Sequence, residues 1–324
     1  MKKITKNDFK EIKTWIYRNA RQIELALWQY EFENGSQEAV LESLSFYQNE
    51  DGGFGNALEA DSWNPNSTPY TTMHAVSMLN NIGFTDVKHP VMEGILRFFD
   101  NNSNEYFSED GWMWCIPTND HYPRAPWWNF DDASHDVIAG FGLTAEIVSF
   151  ILRIAEKDTS IYKKAVMLIE KIVELSGNPE TNGEDGGALN ALGVTMLAET
   201  LQQLNLLDKF NAKSIPENAK EMVAKVIETD STKWAEYGVF PHFIIETPNN
   251  MHYNDYKEAI EQELDYLIQT RPEQSVWGIS WTWFDNMKQY ANEFAISENW
   301  WKSYHAIWKL RFLKNFGRLE TGEE

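Results

Sequence analysis

One cysteine in 324 residues, Cys115, excludes a disulfide framework and any zinc site built from several cysteines. Positive charge is also scarce: 28 Lys and Arg stand against 49 Asp and Glu, a formal charge of −21. Such a surface repels phosphate backbones, so no nucleic-acid partner is expected, and an anionic membrane surface is disfavoured for the same reason. No apolar run reaches the roughly 18 residues of a membrane span, which predicts no integral membrane association. The opening MKKITKNDFKEIKTWIYRNARQIELALWQYEF lacks the uninterrupted apolar stretch of a signal peptide and reads as an amphipathic helix, so a cytoplasmic protein is expected. The 7 histidines show no metal-ligand spacing, and no Gly-x-Ser-x-Gly elbow or Cys–His signature occurs. Neither a metal nor a cofactor is predicted.

Aromatic residues are abundant, at 14% of the chain with 14 tryptophans. They enlarge a core, and they also build stacking platforms for sugars, prenyl chains and cations. Apolar residues at helical spacing recur throughout, without a series of alternating strands. The spacing predicts one long first helix up to Gly35-Ser36, then helices at 37–48, 69–82 and from Pro90 to about Phe99. Further helices are expected at 132–156, 160–176, 187–206, 216–229, 253–270, 285–293 and 298–316. Long loops separate them at 49–68, 103–131, 178–186, 231–252 and 271–284. Gly317 ends the last helix, and residues 319–324 form a frayed tail.

The stretch QNEDGGFGNALEAD, 48–61, follows the second of these helices. It lacks the Gly-Lys-Ser/Thr ending of a P-loop, the ligand spacing of an EF-hand and the preceding strand of a dinucleotide fingerprint. Instead it repeats. NSNEYFSEDGWMW and SGNPETNGEDGG carry the same layout, each between helices. Gly52 and Gly53 allow a sharp reversal, Asp51, Asp110 and Asp185 can accept hydrogen bonds inside the turns, and Gln48 can bridge the first one. Phe54 and Trp112 are expected to pack beneath.

Gln-x-x-Asp-Gly-Gly-aromatic-Gly between two helices resembles the repeat of the terpenoid cyclases and protein prenyltransferases. The resemblance implies an all-α fold, a single α/α toroid of about six helical hairpins over 1–318. In such a toroid the repeated loops open on one face. An acidic, tryptophan-lined mouth is therefore expected from Glu59, Asp61, Trp63, Trp112, Trp114, His121, Trp127, Trp128, Asp131, Asp132, His242, Glu246, Trp277, Trp281, Trp283 and Asp285.

Within WWNFDDASHD, 127–136, Asn129-Phe130-Asp131-Asp132-Ala133-Ser134 is similar to the Asp-x-Asp-Asp-Thr-Ala of class II terpenoid cyclases, with Asn129 in place of the first aspartate. The resemblance implies Asp131 as proton donor, with Asp132 beside it and His135 nearby. The zinc pattern of the prenyltransferases is missing, since Met113 stands two residues before Cys115. Three readings stay open. One is an enzyme or binder for a hydrophobic isoprenoid-type ligand. Another is a carbohydrate-active hydrolase or lyase using Glu59 and Asp61 as paired acids. The third is a non-catalytic ligand- or protein-binding scaffold.

Overall fold

The computed structural model describes residues 1–101, 106–130, 140–178 and 187–320. Among them run α1 (Lys6–Asn19), α2 (Gln22–Phe32), α3 (Gln37–Ser45), α4 (Pro69–Asn81), α5 (Pro90–Asp100), α6 (Phe141–Ile154), α7 (Ser160–Ser176), α8 (Gly187–Gln203), α9 (Ile215–Val226), α10 (Tyr253–Thr270) and α11 (Met287–Asn315). The named strands among the described residues are β1 (Phe107–Ser108) and β2 (Gly111–Trp112), a minimal antiparallel hairpin. The fold is all-α, as the helical periodicity predicts.

Several boundaries differ from the sequence expectation, including the ends of α8 at Gln203 and α9 at Val226, each three residues early. The long first helix is two, because Ala20 and Arg21 are extended at ψ 148° and 165°. There the Arg21 backbone N–H donates to Glu24 Oε2 at 3.0 Å, so the chain caps a new helix instead of continuing the old one. α3 stops at Ser45, which frees Gln48 for the turn. The two final helices are one: α11 kinks at Tyr290 (φ −123°, ψ 33°) but runs on through 294–298, a stretch with neither Gly nor Pro to break it.

Its contacts divide the chain into two compact units: a terminal unit, Met1–Leu44 with Ile227–Glu324, and a central unit, Ser45–Val226. In the terminal unit the two chain ends meet. Ile4 bridges Leu319, and the nearly buried Arg318 donates to Lys2 O at 2.9 Å, to Asp265 at 2.6 Å and to Glu261 at 2.7 Å. The start of the predicted tail is thus tied down.

In the central unit the glycine turn is a joint. Gly52 takes φ +94°, and a Cβ there would strike the Gly94 backbone of α5. Gln48 Nε2 donates to Gly52 O and Val91 O, both at 2.9 Å, while Asp51 Oδ1 accepts from Gly53 N and Ser67 Oγ. Fully buried Phe54 turns its N–H onto Thr72 Oγ1 of α4 at 2.9 Å. The second turn repeats the device, with the Trp112 N–H on Thr144 Oγ1 of α6 at 3.1 Å. α6 and α8 then close together through Gly142 and Gly193, with the Gly142 N–H on Asn190 Oδ1 at 2.8 Å. The third predicted turn, with Asp185, falls outside the described residues.

Candidate functional site

The central unit holds the described acids of the predicted catalytic set. Asn56 and Ala57 adopt left-handed backbone (φ 56° and 58°), which coils the NALEAD loop tightly. Glu59 and Asp61 are only 2% and 1% exposed. This loop is strapped to the segment that follows β2: Ala125 N donates to Asp61 O at 2.8 Å, Trp63 N to Pro123 O at 3.0 Å, and Ser62 bridges Arg124. Side chains tighten the strap, since Asn64 Nδ2 donates to Asn119 Oδ1 at 2.7 Å and to Thr118 Oγ1 at 2.9 Å. Asn119 in turn donates to Trp128 O at 3.2 Å.

Beside the strap three rings gather. Tyr70 of α4 lies 4.7 Å from Trp114 and 4.5 Å from Trp128, and the two indoles stack at 5.2 Å with an angle of 21°. Trp128 Nε1 is buried and has no hydrogen-bond partner among the described residues. Trp63 is half-buried, while His121 and Trp127 face solvent. Trp112 lies in the core against Phe99 and Phe107. Elsewhere in this unit Glu146 of α6 is buried, and desolvation raises its carboxyl to about 8.

The terminal unit holds the other predicted residues. His242 is buried against Glu263 of α10, and Trp277 is pinned by its Nε1 to Leu267 O at 2.9 Å. Trp283 is fully buried against Phe294, so it serves the core. Trp281 is half-buried and meets Trp301 and His305 of α11 nearly edge-on, at 75° and 70°. The aromatic row continues along α11 through Tyr304 and Trp308. Glu246 accepts from Trp308 Nε1 at 2.9 Å and pairs with Arg311. Burial pushes the Tyr304 hydroxyl up to about 12, with Arg311 opposing and Glu246 and Glu24 adding to the shift. Asp285 is an exposed acid paired with Lys288.

The predicted residues therefore fall into two groups, one in each unit. Asp131, Asp132 and His135 lie outside the described residues. Sequence reasoning did not single out Tyr70, Glu146 or Glu263. Only the row Trp301, Tyr304, His305, Trp308 carried a legible signal, the i, i+3, i+4, i+7 spacing of one helix face. Among the described residues no cluster of His, Cys, Asp and Glu is arranged to hold a metal ion. Likewise no described helix is long and apolar enough to cross a membrane. Compared with protein-family models, with curated proteins and with solved structures, the chain matches none.

Proposed function

We propose that the protein is a terpenoid cyclase-like α/α toroid whose central unit binds an isoprenoid-type ligand, one that carries or develops positive charge, beside the Glu59–Asp61 loop. The observation that carries this reading is a pair of carboxylates withdrawn from water, 2% and 1% exposed, on a loop strapped to the Trp128 segment. Tyr70, Trp114 and Trp128 add three aromatic rings at 4.5–5.2 Å from one another. Aromatic faces and desolvated anions both favour cations, and a low-dielectric site strengthens both. The toroid part of the reading is supported by the repeated turn, in which Phe54 and Trp112 make the same bond to Thr72 and Thr144. In this reading Asp131, three residues beyond Trp128, donates the proton, Asp132 assists it, and Glu59 and Asp61 stabilise the cation.

A carbohydrate ligand is the second reading. The amide and hydroxyl network of Asn64, Thr118 and Asn119 beside the acids favours it, with exposed Trp127 as a platform. Thermal unfolding against two ligand panels separates the two. Farnesyl and geranylgeranyl diphosphate, with and without magnesium, should raise the midpoint by a few degrees when present at about one hundred times the dissociation constant. Asp61→Asn, which keeps the loop's shape, should abolish that shift. A shift with neutral or acidic oligosaccharides alone moves the site to the second reading. Silence from both panels overturns ligand binding here and leaves a scaffold.

A further inference from the structure

The first 21 residues hold seven Lys and Arg against two acids, Asp8 and Glu11, in a chain whose formal charge is −21. Both acids pair with Arg271 of the same unit, Glu11 at 3.1 Å. The exposed stripe of α1 is therefore basic: Lys6, Lys10, Lys13 and Tyr17 recur at i, i+4, i+7 and i+11, with Arg18 beside them. This placement works against the helix. Lys6 and Lys10 stand in its first two turns, towards the positive end of its dipole, and like charges at i, i+3 and i, i+4 repel. Lys6, Lys10 and Arg18 form no ion pair among the described residues that would offset this. Charges set against local stability point to an anion from outside.

Between these side chains lies an open cleft of about 410 Å³, lined by Lys10, Lys13, Thr14, Tyr17 and Arg18. One wall is fixed by Glu33. The Tyr17 hydroxyl donates to Glu33 Oε2 at 2.6 Å, and Lys13 pairs with Glu33 Oε1 at 2.9 Å. Trp28 Nε1 of α2 holds the same carboxylate at 2.6 Å. Lys13 Nζ also lies 5.4 Å from the centre of the Tyr17 ring, which is 46% exposed. The cleft thus offers an aromatic face, with Lys10 and Arg18 as its uncompensated charges.

We propose that this face of α1 docks a short acidic segment of a partner protein. An aromatic side chain of that segment fills the cleft against Tyr17, and its carboxylates meet Lys6, Lys10 and Arg18. Charge complementarity selects the sign, and extent selects the class. From Lys6 to Arg18 the helix rises about 18 Å, the length of about five or six extended residues. At physiological salt, fields beyond about 8 Å are screened, so a segment confined to the stripe feels its cations. A bilayer or a nucleic-acid duplex would instead press its phosphates against the acidic remainder of the chain.

The test uses the full chain and the fluorescence anisotropy of a labelled nonapeptide of Glu and Asp around a central Trp. The peptide should bind at low salt and weaken as salt rises. Lys10→Glu combined with Arg18→Glu, checked for folding by circular dichroism, should weaken binding roughly tenfold or more. Lys88→Glu combined with Lys257→Glu makes the same change in net charge at exposed sites elsewhere, and should leave affinity within about twofold. Equal loss in the two variants assigns binding to net charge and overturns the proposal. A peptide with Gly for the central Trp should bind several-fold more weakly, and undiminished binding removes the cleft from the site. Phosphatidylserine vesicles or duplex DNA bound in preference to the peptide, or no binding of the peptide at all, overturns the acidic-segment reading.

Discussion

Glu146 shows what burial does to one side chain. It sits on α6 among apolar neighbours, and desolvation alone raises its carboxyl from 4.5 to about 8. The folded state therefore holds a proton that the unfolded chain releases above its ordinary value. Whatever stability the protonated acid permits is complete below about pH 4.5 and is lost as the pH rises through about 8. Glu146→Gln should flatten the stability profile across that window and leave the variant more stable than the parent at pH 8, by a few kcal/mol at most. Urea unfolding at pH 5, 6.5 and 8 checks this; parallel curves for the two proteins would refute it. At this scale the sequence was partly legible. Glu59 and Asp61 stand out as loop acids, but only the strap to Pro123 and Ala125 shows that they are buried rather than solvated. Lys309 could not be told from the other lysines, because the desolvation that lowers its ammonium, against the opposing charge of Glu263, comes from packing that the sequence does not record.

Between elements, the glycine turns carry the argument. The two described turns each bring a backbone N–H into the interior, where Thr72 of α4 and Thr144 of α6 receive it. Thr72→Val keeps the shape and removes the acceptor, leaving the Phe54 N–H buried and unsatisfied. The expected loss is about 1–3 kcal/mol, and Thr144→Val should cost a similar amount through Trp112. Ser77→Ala on α4 is the control, since Ser77 Oγ donates only to Met73 O of its own helix. Urea midpoints decide the matter; if Thr72→Val behaves like Ser77→Ala, the turn does not depend on that bond. The turn itself was readable from Gln48, Asp51 and Gly52, because the bonds from Gln48 to Gly52 O and from Gly53 N to Asp51 span four residues or fewer. The break at Ala20–Arg21 was not, since nothing in the apolar spacing marks the Arg21–Glu24 cap. Lys164 teaches the same lesson from α7. It reads as a surface lysine, yet it is 6% exposed and donates to Phe99 O at 3.1 Å and Asp100 O at 3.2 Å, closing the end of α5.

Across the whole chain, the charge of −21 acts as self-repulsion that a compact state feels more than an unfolded one. Sodium chloride at about 0.5 M shortens the screening length to a few ångströms and should raise the unfolding midpoint at pH 7.5. The gain should vanish near the sequence pI of about 4.7. A midpoint that falls with salt at pH 7.5 would mean that the ion pairs, such as Arg318 with Glu261 and Asp265, outweigh the repulsion.

The sequence by itself determined the helical class, most helix boundaries and the chemistry of the first glycine turn. Apolar period, capping residues and glycine act over a few positions, so a linear string records them. Tertiary structure decided that the chain ends join in one unit, through Ile4, Leu319 and Arg318. It also decided that Trp283 belongs to the core, and that Tyr70 joins Trp114 and Trp128. The same holds for Glu146 and Lys309, whose protons are set by burial. Desolvation and charge pairing depend on which distant residues come together, and that proximity exists only in the folded chain.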